Sequence, residues 1–116
     1  MGCNDQSFND RLRTWKVFAT DDVEEDLSEF VQYLLYEKMS EQAANAVIKD
    51  YDETLDELEK VAGSLELVDN PRLAKLGYRR INFKRHRYYF LYRVEGEIAI
   101  VDAMYHVLQD PNNVMS

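Results

Sequence analysis

The side chains with the greatest chemical potential in this sequence fall in one stretch and one pair. The stretch runs from Arg79 and Arg80 through Lys84, Arg85, His86 and Arg87 to Tyr88 and Tyr89, with Arg93 a few residues on; the pair is Tyr105 and His106. Guanidinium groups grip phosphate oxygens in a fork, and tyrosine or histidine rings stack on unpaired bases. Cations interleaved with aromatics therefore point towards single-stranded nucleic acid. The competing reading is structural, since tyrosines on a half-buried strand usually pack and basic strand residues are often merely exposed.

Other chemistries find little support. The histidines, His86 and His106, are far apart in sequence and the single cysteine is Cys3, so no metal-ligand spacing exists. There is no glycine-rich phosphate loop and nothing resembling a nucleophile elbow, although composition leaves a Ser-His-Asp arrangement open. Carboxylates are plentiful in the first half, where a solvated acidic face is the simpler reading than a glycosidase pair. No cofactor is implied.

These side chains need elements to position them. Thr14 to Ala19 alternates Trp15, Val17 and Ala19 as a short strand does. Thr20, Asp21 and Asp22 supply N-cap candidates, with Glu24 and Glu25 placed for a capping box. Val23, Leu27, Phe30, Val31, Leu34 and Leu35 then recur at helical spacing to about Lys38. Ser40 is a second cap, and Ala44, Val47, Ile48, Tyr51, Leu55, Leu58 and Ala62 continue the period until Gly63 and Ser64 close it. Two amphipathic helices so close together make an antiparallel hairpin.

Leu65 to Gly77, containing Asn70 and Pro71, reads as a connection. The period then shortens to two. Tyr78–Lys84 is one strand, Arg87–Val94 the next and Glu97–Met104 the third, joined by turns at Arg85-His86 and Glu95-Gly96. The expectation is an α+β domain of order β-α-α-β-β-β, its helical hairpin packed on one face of an antiparallel sheet. On the second strand, Tyr88, Phe90, Tyr92 and Val94 share the core face. Arg87, Tyr89 and Arg93 share the other, which is expected to be a polar platform left for a partner or substrate.

A net charge of −8 over 116 residues argues against a nucleic-acid binder until it is divided. Residues 1–70 carry a net −12 and residues 71–116 a net +4, and Arg72 to Arg93 contains eight basic residues and no acid. Binding responds to local charge, so the second half offers a basic surface. That surface alternatively complements the acidic helices of the same fold. The length suits one domain over residues 14–110, with 1–13 a frayed, polar N-terminal tail and 111–116 a C-terminal tail. Met1-Gly2-Cys3 suggests acylation, but Gln6 stands where that signal needs Ser or Thr. No apolar run is long enough to span a bilayer, and one cysteine suits a reducing cytoplasm.

The element order, together with Tyr78-Arg79-Arg80-Ile81, His86-Arg87, Leu91-Tyr92-Arg93-Val94 and a last strand ending at His106, resembles the RelE/ParE toxins of type II toxin–antitoxin systems. The nearest likeness is to the YoeB-like branch, in Arg79-Arg80-Ile81, His86-Arg87 and Tyr105-His106, with one residue of difference between the first two spacings. The resemblance covers roughly Lys16 to Asp110.

It implies a ribosome-dependent endoribonuclease that cleaves messenger RNA in the decoding site. Arg87 would then stabilise the phosphorane, a task suited to permanent charge and fixed donors. His106 would act as acid or base, since histidine titrates near neutrality, and Tyr105 would orient the substrate. Arg79, Arg80, Lys84, Arg85, His86, Tyr89 and Arg93 would contact RNA. Two features depart from the branch. It has a Glu in the loop before the Arg-Arg-Ile strand, where this chain has Pro71-Arg72-Leu73, with Glu66 and Asp69 as the nearest substitutes; and the chain continues ten residues past His106. The resemblance leaves two alternatives: a non-catalytic, ParE-like inhibitor of DNA gyrase, and a degenerate member that only binds its antitoxin. The implied partners are a cognate antitoxin and either the ribosome with its mRNA or gyrase. A homodimer stays open, and no membrane is involved.

Overall fold

Thr20 ends the first strand and begins the first helix. Its hydroxyl accepts the Val23 N–H at 3.2 Å and donates to the Val101 carbonyl at 3.0 Å, so a single cap ties the helix start to the last strand. In the computed structural model, which describes residues 14–109, the elements are β1 (Lys16–Ala19), α1 (Asp21–Tyr36), α2 (Glu41–Val61), a 3₁₀ turn (Ala62–Ser64), α3 (Pro71–Lys75), β2 (Tyr78–Asn82), β3 (Tyr88–Glu95) and β4 (Ile98–His106). Both expected tails lie outside the described residues.

Ser40 caps α2 by accepting the Ala43 N–H at 3.1 Å. Between the helices Met39 takes a positive φ of 53°, which lets the chain reverse in so few residues. Gly96, at φ 61°, supplies the left-handed position of the two-residue β3–β4 turn.

The four strands lie in the order β1-β4-β3-β2. The meander β2–β3–β4 is antiparallel as expected, whereas β1 joins β4 in parallel, from Lys16↔Ile98 to Ala19↔Val101. The long excursion through both helices lets β1 and β4 run the same way, which a tight turn could not. Val17 and Ala19, with Leu27, Phe30, Val47, Tyr51 and Leu58 of the helices, pack on Ile81, Tyr88, Phe90, Tyr92, Ala99, Val101 and Met104 of the sheet. Among the described residues no helix is long and apolar enough to cross a membrane.

Two features were not expected. The register slips between Leu91↔Ala103 and Tyr92↔Val101, leaving Asp102 as the extra residue of a β-bulge. The bulge resets the alternation, so Met104 faces the helices while Ala103 and Tyr105 face away. The second feature is α3, within the segment read as a plain connection. Asn70 caps it through Oδ1, which accepts the N–H groups of Arg72 at 2.9 Å and Leu73 at 3.1 Å, and Pro71 occupies its first turn. The helix lowers Leu73 onto the outer sheet face, where it forms a second apolar cluster with Tyr89, Leu91, Ala103 and Tyr105. The face expected to be an open polar platform is therefore roofed over these residues. The reason is that Tyr89, Leu91 and Tyr105 present too much apolar surface to leave in water.

Candidate functional site

The basic stretch is built around a carboxylate from another element. Asp50, on α2 and only 1% exposed, reaches the turn between β2 and β3. Its Oδ1 accepts the Lys84 N–H at 3.3 Å; its Oδ2 accepts the N–H groups of Arg85 at 3.0 Å and His86 at 2.9 Å, and His86 Nδ1 at 2.8 Å. Because an ionised carboxylate only accepts, Nδ1 of His86 is the donor. Burial pushes the Asp50 carboxyl up, but the bond from His86 and those from the Arg85 and Lys84 amides outweigh it, and its pKa is held below 3.8.

The cations carried by this turn and its strands are drawn mostly onto their own chain. Arg85 pairs with Glu53, and Lys84 lies 3.7 Å from Glu57. Arg79 donates through Nη1 to the carbonyls of Gly63, at 3.3 Å, and of Leu65. Arg93 donates through Nε to Asp102 at 3.1 Å and pairs with Glu95, while Asp102 also accepts the Tyr78 hydroxyl at 2.7 Å. The bulge thus places an acid among the cations of the outer face. Arg80 donates to Asn82 at 2.9 Å and stacks its guanidinium 3.9 Å from the centre of the Tyr89 ring. Arg87 is exposed, and among the described residues its guanidinium has no hydrogen-bond or ion-pair partner.

The pair Tyr105 and His106, expected to orient the substrate and to move protons respectively, is divided. Tyr105 belongs to the second cluster, 5% exposed and 5.7 Å from the Tyr89 ring, and burial, chiefly, pushes its hydroxyl up to about 12. His106 pairs with Tyr88 across the strands and meets its ring edge-on at 5.4 Å, towards the helices. Its Nδ1 accepts the Leu108 N–H at 3.2 Å, which places the ring proton of the neutral form on Nε2. The backbone N–H of His106 is held by the Gln109 side chain at 2.8 Å. The Val107 N–H donates to the Arg87 carbonyl at 2.9 Å, so the structure brings the Arg87 and His106 segments side by side. Tyr105 turns away from His106 into the opposite cluster. Glu66 and Asp69 are exposed and make no hydrogen bond or ion pair with any of these residues.

His106 also lines an open cavity of about 480 Å³ between α1 and the ends of β3 and β4, with Glu29, Phe30, Tyr33, Tyr88 and Gln109. Sequence reading passed over this site, because Glu29, Phe30 and Tyr33 look like ordinary helix residues until the sheet is docked beneath them. Among the described residues no cluster of His, Cys, Asp and Glu is arranged to hold a metal ion.

No family model matches the sequence, and no curated protein matches it. Solved structures do resemble it. One is a chain of the chromosomal ParDE toxin–antitoxin system from P. aeruginosa, with a TM-score of 0.64 and 18% identity, covering 81% of this chain and 97% of that one. Another is a chain of the toxin–antitoxin complex RelBE2 from Mycobacterium tuberculosis, with a TM-score of 0.49, 17% identity and coverage of 80% and 91%. The likeness to the ParDE chain is one of architecture: this chain has the RelE/ParE-like fold, a helical hairpin on a four-stranded, mostly antiparallel sheet.

Proposed function

We propose that the chain is the toxin of a type II toxin–antitoxin pair, acting in the cytoplasm, and that it inhibits its target by binding rather than by cutting RNA. The fold supports the first part, since the ParDE chain it resembles comes from such a system. The observation that carries the second is the internal use of the basic side chains. Arg79, Lys84, Arg85, His86 and Arg93 each end on an acid or a carbonyl oxygen of the same chain. Exposed pairs of this kind are weak in themselves, but they largely cancel the field that would draw a polyanion. A chain of net charge −8 then has little electrostatic attraction for the ribosome. Tyr105, buried in the second apolar cluster, is ill placed to orient a substrate.

DNA gyrase is the target class that the resemblance supplies for a binding toxin. A second reading, the ribosome-dependent nuclease, is favoured by one observation: Arg87 is exposed, its guanidinium has no partner among the described residues, and its carbonyl accepts from the residue after His106. Purified full-length chain separates the two. Binding predicts loss of gyrase supercoiling with mRNA left intact in a translating extract. Codon-positioned cuts, abolished by Arg87→Ala in a folded protein, would overturn it in favour of the nuclease. Expression that is harmless without a neutralising partner would overturn both and leave a chain that only binds its antitoxin.

A further inference from the structure

The cavity beside α1 has a chemistry that the toxin reading does not use. Glu29, Phe30 and Tyr33 come from one flank of α1, and Tyr88 and His106 from paired positions on β3 and β4. Phe30 meets Tyr88 edge-on at 4.8 Å, so the walls are largely aromatic. Tyr33 is 49% exposed, and its ring already attracts an ammonium, that of Lys38, 5.8 Å from its centre. The Glu29 carboxylate has no hydrogen-bond or ion-pair partner among the described residues.

The surroundings carry the same sign. Asp22, Glu25 and Asp26 precede Glu29 along α1. Burial pushes the Asp26 carboxyl up, a Met104 amide bond opposes this, and Glu29, Asp22 and Glu25 add to it, which reports a concentration of negative charge on this flank. A phosphate would meet that potential unfavourably. An aliphatic side chain would fill the walls and leave Glu29 unpaired at the rim.

We infer that this cavity receives the side chain of an arginine or lysine from a basic segment of a partner protein, its stem and head flanked by Phe30, Tyr33 and Tyr88 and its charge met by Glu29. Aromatic rings attract cations through their faces, and long basic side chains bury their stems while the head seeks a carboxylate. The Nδ1 of His106 is taken up as an acceptor by the Leu108 N–H, so it offers the incoming cation no competing donor. On the reading above, the partner is the antitoxin, so neutralisation would engage α1 and the end of the sheet at once.

The test uses the full-length chain and Nα-acetyl-arginine N-methylamide, followed by the ring resonances of Tyr33, Tyr88 and His106 in NMR. Saturable shifts of these rings are expected. The norleucine and glutamate analogues should bind at least about tenfold more weakly, and Glu29→Gln should weaken the arginine analogue by roughly tenfold. Absence of shifts, equal binding of norleucine, or insensitivity to Glu29→Gln would overturn the inference. Failure of the toxin reading appears elsewhere, as harmless expression, so the two failures are distinguishable.

Discussion

Asp50 accepts both the backbone N–H of His86, at 2.9 Å, and the Nδ1–H of its ring, at 2.8 Å. One buried carboxylate on α2 thus organises the turn that carries Lys84, Arg85 and Arg87, and sets how the basic stretch faces the rest of the molecule. His106 has the reverse arrangement, accepting through Nδ1.

Removing the carboxylate should therefore cost more than removing the ring. Asp50→Ala leaves the His86 ring and three backbone amides without their acceptor and is expected to destabilise by about 3 kcal/mol. His86→Ala leaves the amides to satisfy Asp50 and should cost about 1 kcal/mol. Urea denaturation of both variants gives the order; equal losses would show that the amides matter little.

The same carboxylate predicts an acid dependence. Its folded-state pKa is depressed, so its stabilisation is fully present above the unfolded-state value and is lost as pH falls through the folded one. Stability should fall steadily as pH drops through and below 3.8, and Asp50→Asn should flatten that fall. Urea midpoints measured across this range for both proteins check the sign.

Asp26 predicts the opposite. Burial, chiefly, raises its folded-state pKa, so the ionised form is a burden near neutrality that is relieved as pH falls through that value. Asp26→Asn keeps an oxygen able to accept the Met104 N–H and should be at least as stable as the parent at pH 7. A lower thermal midpoint at neutral pH would contradict this.

Gly63 is required by contact. A Cβ there would lie 2.3 Å from Cζ2 of Trp15, against a ring that packs on the main core. Gly63→Ala should cost about 2 kcal/mol, in the range of small-to-large substitutions against packed groups. Trp15 is the only tryptophan, so a shift of intrinsic fluorescence should accompany the loss.

Tyr51 makes the contrary case. Its hydroxyl is buried without a hydrogen-bond partner among the described residues, between the rings of Phe83 and Phe90. Tyr51→Phe removes an unpaired polar group and should leave stability unchanged or raise it by about 1 kcal/mol. A clear loss in calorimetry would mean that the hydroxyl has a partner after all.

Much of the fold could be read locally. The caps at Thr20 and Ser40, the helical periods that follow them and the strand alternation after Tyr78 are properties of neighbouring residues, and each appears within a few positions of where the pattern places it. The short helix α3 was missed because five residues are too few to show a period, although Asn70-Pro71 carries the cap and first-turn signal. The parallel entry of β1 depends on a partner some eighty residues away, which no local pattern encodes.

By itself the sequence determined the two long helices and the strands, the inward set Tyr88, Phe90, Tyr92 on β3, and the concentration of positive charge between Arg72 and Arg93, because these follow from spacing and composition. Only the tertiary structure decided which of those charges is spent. Glu53, Glu57 and the bulged Asp102 lie on other elements, and they reach the cations only once the helices and strands are docked. Charge pairing decays over a few ångströms, whereas sequence distance says nothing of proximity in space, so the fate of a basic stretch is settled by packing.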